Sequence, residues 1–155
     1  MTTHPGDIGA HPDLVELKAK YERAGQTMRA GLLEGVTLLA GLYLIISPFV
    51  VRYLDHANLA ANNVIVGLAL ALLAFGFARS FDRTHTIAWI VPVIGIWEIV
   101  APWLVRGTPA NLAAIPRVPA ALWINNVVLG IVITLAGLGI ASLASARLAG
   151  SRRQR

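Results

Sequence analysis

Four long apolar stretches alternate with short polar breaks along this chain. They run from about Gly31 to Tyr53, Ala60 to Ala78, Thr86 to Val105 and Ala121 to Ala146. The second contains no charged residue, and the first and third hold one acid each, Glu34 and Glu98. About 20 apolar residues cross the roughly 30 Å of bilayer hydrocarbon as a helix. Each stretch is near or above that length, whereas core helices of water-soluble domains are usually shorter and apolar on one side only. The pattern predicts four transmembrane helices.

The chain ahead of them has a different period. In "HPDLVELKAKYERAGQTMRAG", Leu14, Leu17, Tyr21, Ala24 and Met28 recur at alternating spacings of three and four. That places them on one helical stripe. Pro12 suits a first helical turn, and Asp13 and Glu16 suit its positive dipole end. A helix from about Pro12 to Arg29 is expected. It would lie on the membrane surface or, alternatively, dock a partner protein or a second copy.

A phrase also repeats. Gly41–Tyr53, containing "YLIISPFVVR", aligns with Gly95–Gly107, containing "WEIVAPWLVR", and Gly, Ile, Pro, Val and Arg coincide at five of thirteen positions. "NNVIVGLALALLAFG" from Asn62 aligns with "NNVVLGIVITLAGLG" from Asn125, coinciding at six of fifteen. The offset grows from 54 to 63 residues, so the second unit carries nine extra residues in the loop "GTPANLAAIPRVPAAL". Two copies of a two-helix hairpin are expected, both starting from the same side. Such parallel repeats are related by a pseudo-twofold axis along the membrane normal. The expected organisation is a tail over residues 1–30, hairpins over 31–79 and 80–148, and a basic tail over 149–155.

Composition changes this picture little. The 155 residues are 56% hydrophobic and 14% charged, with mean hydropathy +0.66, far from the balance of a water-soluble domain. There is no cysteine, which excludes disulfides and thiolate metal sites. The net charge of +5 is better explained by topology than by nucleic acid, and no nucleic-acid partner is expected. Four spans put both termini and the middle loop on one side, with Lys18, Lys20, Arg23, Arg29, Arg79, Arg83, Arg147, Arg152, Arg153 and Arg155; only Arg52, Arg106 and Arg117 fall opposite. Both termini are therefore expected in the cytoplasm. The first thirty residues are polar, so no signal peptide is expected.

The apolar run, Ser-Pro-Trp-like corner, Asn-Asn pair and Gly-rich helix together resemble the SPW-repeat family of small bacterial membrane proteins. The lead-in through "LLEGVTLLAGLYL" and the central "RTHTIAWIVPVIGIWEIVAPW" resemble it too. The resemblance covers almost the whole chain and implies an inner-membrane, multi-pass architecture. The namesake motif is altered in both units, to Ser47-Pro48-Phe49 and Ala101-Pro102-Trp103.

Chemistry is sparse. Each proline removes one backbone hydrogen bond near the outer end of its helix. Phe49 and Trp103 suit an interfacial depth. Asn62, Asn63, Asn125 and Asn126 are expected at the starts of the returning helices, as caps or first-turn donors, with Arg52 and Arg106 close enough to reach them. These corners read as helix-turn-helix closures or, alternatively, as a twofold site for a lipid headgroup, an anion or a protein. Glu98, matched by Leu44 in the first unit, is the foremost functional candidate, because a carboxyl group at bilayer depth costs a few kcal/mol unless protonated or paired. It is either a hydrogen-bonded structural acid or a proton or ion carrier.

His4, His11, His56 and His85 offer no paired axial set, so haem is not expected, nor zinc. No catalytic, metal or cofactor site is expected, and the chain is read as a non-enzyme. Gly31 and Gly35, with small residues on the second and fourth helices, suit close helix packing within the bundle or in an oligomer. The leading expectation is a structural or accessory subunit of a larger membrane assembly. The alternatives are a small oligomeric transporter or channel with Glu98 in its path and, less favoured, a quinone- or lipid-binding accessory to redox enzymes. Expected partners are membrane lipid and a protein partner or a homo-oligomer.

Overall fold

The computed structural model describes residues 12–52, 56–84, 87–105 and 119–153. Four helices make up nearly all of this: α1 (Pro12–Val50), α2 (Ala57–Thr84), α3 (Ile90–Leu104) and α4 (Ala120–Arg153). Three contain segments long and apolar enough to cross a membrane, Glu16–Val50, Ala57–Arg79 and Ala120–Ala146. The third helix is shorter than its apolar run suggests. Its 15 residues rise about 22 Å at 1.5 Å each. A turn precedes it, with the Val91 N–H donating to the Ala88 carbonyl at 3.4 Å. Pro92 then falls in the first helical turn, where a missing N–H costs nothing. The architecture is that of an all-α, multi-pass membrane protein.

The tail forms the helix its spacing predicts, but not a separate one. α1 continues unbroken from Pro12 to Val50, 39 residues, or about 58 Å. The span needs only about half of that length, so the first turns extend the spanning helix beyond the apolar layer. A separate surface helix ending at about Arg29 is not what forms. Gly25, Gly31 and Gly35 lie within α1, and the flanking helix-favouring residues carry the helix through them.

Packing is closest within α1–α2 and within α3–α4, so the chain folds as two hairpins that meet through α1 with α4 and, less extensively, α2 with α3. Glycine permits the tight hairpin contacts. A Cβ on Gly67 would lie 2.5 Å from the Gly41 carbonyl oxygen, and one on Gly130 would lie 2.7 Å from that of Gly95. Backbones therefore touch where any side chain would wedge the helices apart. The sequence offsets of 54 and 63 equate these two contacts.

One apolar core layer contains Leu44, Leu70, Phe77, Val91, Ile133 and Ile140. A smaller one, towards the ends where α1 meets α2 and α3 meets α4, contains Leu59, Ala60, Ala101 and Leu122. Ser47, Asn63, Glu98 and Asn126 fall between these layers, one on each helix, whereas the buried Thr37 sits beside the first layer and donates to the Leu33 carbonyl. Outward positions such as Leu39, Leu72, Phe75, Ile96 and Leu135 are exposed, as helix faces in contact with lipid require.

Candidate functional site

Ser47, Asn63, Glu98 and Asn126 are all fully buried, at 0% exposure. A polar group taken from water without a partner costs several kcal/mol, so such a cluster persists only if its donors and acceptors are matched. Asn63 and Asn126 do this reciprocally: Asn63 Nδ2 donates to Asn126 Oδ1 at 3.0 Å, and Asn126 Nδ2 donates to Asn63 Oδ1 at 3.1 Å. This pair joins α2 to α4, the returning helices of the two hairpins.

The second amide hydrogen of each asparagine goes to its own hairpin. Asn63 Nδ2 also donates to Ser47 Oγ at 3.3 Å, and Asn126 Nδ2 to Glu98 Oε2 at 3.2 Å. Under the offset of 54, Ser47 corresponds to Ala101 and Leu44 to Glu98. The two hairpins thus present the same acceptor function from positions about one helical turn apart. Serine occupies the later position in the first hairpin and glutamate the earlier position in the second. Ser47 also donates to the Leu44 carbonyl at 2.9 Å, which Pro48 leaves without its helical N–H.

The outer members of each Asn-Asn pair tie the hairpins together at the flanks. Trp97 Nε1 donates to Asn62 Oδ1 at 2.9 Å, and the Tyr43 hydroxyl donates to Asn125 Oδ1 at 3.1 Å. Both bonds cross between hairpins and join positions that the two offsets equate. Asn62 Nδ2 donates to Glu98 Oε1 at 3.1 Å. The carboxyl group therefore bridges the first hairpin through Asn62 and the second through Asn126. Weaker contacts within the pairs, Asn62 Nδ2 to Asn63 Oδ1 at 3.3 Å and Asn125 Nδ2 to Asn126 Oδ1 at 3.4 Å, complete the net. Among the described residues, no buried side-chain nitrogen or oxygen lacks a hydrogen-bond partner.

Several sequence expectations change here. The asparagines are not helix caps. α2 starts at Ala57 and α4 at Ala120, so the pairs occupy the second turn and point into the bundle. Glu98 is the ninth residue of α3, because the helix begins at Ile90 and not near the start of the apolar stretch at Thr86. Pro48 and Pro102 lie inside their helices and are buried. Phe49 and Trp103 are exposed, and Trp103 packs on Trp123 with ring centroids 6.3 Å apart.

Arg52 ends the α1 turn in the left-handed region at φ 57° and is exposed. Arg106, Arg117, His4, His11, His85 and the extra residues of the second loop lie outside the described residues. Tyr43 and Trp97 are the network members that hydropathy does not flag. Their signal is that they are repeat-equivalent positions, each an aromatic ring carrying one polar hydrogen.

A family model for the SPW repeat domain matches residues 31–140. The chain belongs to the SPW-repeat family. The matched span contains the whole buried network and excludes most of the projecting tail of α1. No curated protein and no solved structure matches the chain. In this SPW-repeat protein the altered second motif, Ala101-Pro102-Trp103, has a structural counterpart. Where serine is absent, Glu98 accepts the amide hydrogen that Ser47 accepts in the first hairpin.

Proposed function

We propose that this is a non-enzymatic protein of the bacterial inner membrane, acting as a structural or accessory subunit of a larger membrane assembly. One observation carries the reading: the polar interior is a closed network in which every buried side-chain donor and acceptor of the described residues is matched internally. Such a network locks two hairpins in register. Glu98 is then the central acceptor of that lock.

The hairpins are read as parallel repeats about a pseudo-twofold axis along the membrane normal. The equivalent Tyr43–Asn125 and Trp97–Asn62 bonds and the self-paired Asn63 and Asn126 support this. Both termini are read as cytoplasmic from the ten-to-three distribution of Lys and Arg. Purification from native membranes in mild detergent, followed by mass spectrometry, tests the assembly role. A stable partner complex is the expected result. A lone chain that conducts or exchanges ions after reconstitution would overturn it.

The second reading is a small transporter or channel that uses Glu98. Its support is that the carboxyl group bridges the two hairpins, so a change in its hydrogen bonding would act on their interface. Proton flux into reconstituted vesicles, lost in Glu98→Gln while expression and assembly persist, would favour it. Loss of assembly with no flux in the parent protein refutes it.

A further inference from the structure

We propose that the projecting part of α1 is a parallel coiled-coil seam that pairs two copies of this chain. Residues Leu14, Leu17, Tyr21, Ala24 and Met28 follow spacings of three, four, three and four, the a and d positions of two heptads. None is covered by the rest of the chain; Tyr21 is 70% and Met28 71% exposed. The same spacing continues at Gly31 and Gly35, where the helix enters its apolar segment. A Cβ on either would meet nothing within 4 Å. The seam is therefore an unbroken line running from the projecting turns into the span, and its small residues let a second helix approach closely.

A second copy is favoured over a lipid surface. A helix lying on lipid needs a broad apolar face, whereas a strict a/d stripe is the narrower coiled-coil pattern. Here Glu16 and Lys18 flank Leu17, and Glu22 follows Tyr21; all three are exposed. The helix also continues the span and does not turn into the membrane plane.

Charge complementarity selects the same occupant. The ten-to-three bias of Lys and Arg inserts every copy the same way round, so their tails are parallel. In a parallel pair a g position faces the e position of the next heptad on the other helix. Asp13 is at g and Lys18 at e, so Asp13 of each copy faces Lys18 of the other, twice per dimer. The two-heptad length does not preclude pairing. Helix nucleation, the costly step, is already done by the span, and confinement to one membrane raises the effective concentration.

The natural chain has no cysteine, which makes disulfide mapping clean. Single variants Leu17→Cys and Tyr21→Cys, oxidised in native membranes, are expected to give disulfide-linked dimers. Glu16→Cys and Gln26→Cys, at c and f, are expected to remain monomeric on denaturing gels. Equal linkage at all four positions, or none at any, overturns the proposal. So does tail protection by anionic vesicles that is unchanged when the chain is diluted to monomers, which would assign the stripe to lipid. Asp13→Lys is expected to lower the Leu17→Cys dimer yield about threefold or more. Adding Lys18→Asp is expected to restore it, and failure of that restoration overturns the parallel register. These variants leave the buried network untouched, so their outcome is separate from that of the assembly role.

Discussion

Asn63 and Asn126 exchange amide hydrogen bonds across the centre of the bundle, at 3.0 and 3.1 Å, from repeat-equivalent positions on the two returning helices. An asparagine amide carries both a donor and an acceptor, so two copies of one residue type satisfy each other when brought face to face. The recurrence of Asn-Asn at 62–63 and 125–126 supplies both members of that pair.

Removing one member strands the other. Asn63→Ala or Asn126→Ala is expected to destabilise the bundle by about 1–3 kcal/mol, the cost of a buried unmatched amide. The double variant should cost less than the sum of the singles, with a coupling of about 0.5–3 kcal/mol. Unfolding in detergent titrated with a denaturing surfactant measures all three. Strict additivity would show that the reciprocal bond contributes nothing.

Glu98 and Ser47 are expected to be exchangeable in function. Glu98→Leu restores the residue type of the first hairpin but leaves Asn126 without its second acceptor. A loss of about 1–3 kcal/mol is expected. Adding Ala101→Ser, which recreates the Ser47 arrangement, should recover a substantial part of it. The same unfolding titration reads the rescue, and its absence would show that acceptor position, not acceptor supply, is decisive.

Gly67→Ala should wedge the first hairpin, because its new Cβ would start 2.5 Å from the Gly41 carbonyl oxygen. Overpacking of this kind costs about 1–3 kcal/mol. Gly76→Ala, on the same helix with nothing within 4 Å, should be neutral or slightly stabilising through higher helix propensity. Paired thermal melts in detergent distinguish the two sites, and equal shifts would remove close backbone approach as the cause.

The orientation reading predicts an accessibility pattern. Single cysteines at Asn58 and Ala110 should react with an impermeant thiol reagent in intact cells. Those at Thr84 and Ser151 should react only after permeabilisation. The reverse pattern inverts the topology, and labelling of Asn58 and Ala110 from opposite sides rules out parallel repeats.

Sequence alone determined the all-helical make-up, the membrane class and the family, and it displays the repeated phrase, because each rests on local or periodic information. Runs such as Ala60–Ala78 bury no backbone polar group except as a helix, and the offsets of 54 and 63 are visible by alignment. The spacing of Leu14 to Met28 likewise predicts a helix from Pro12, as observed. Glu98 and the Asn-Asn pairs stood out as polar residues in apolar surroundings. Only the tertiary structure decided what they bond to. α2 and α4 begin at Ala57 and Ala120, and starting five residues ahead of each pair turns apparent caps into core residues. The partners of Glu98 lie 36 and 28 residues away, and Tyr43 meets Asn125 across 82. No period encodes such separations. They depend on how the two hairpins rotate and approach, and that is set by backbone contact at Gly41–Gly67 and Gly95–Gly130 together with the need to satisfy every buried amide.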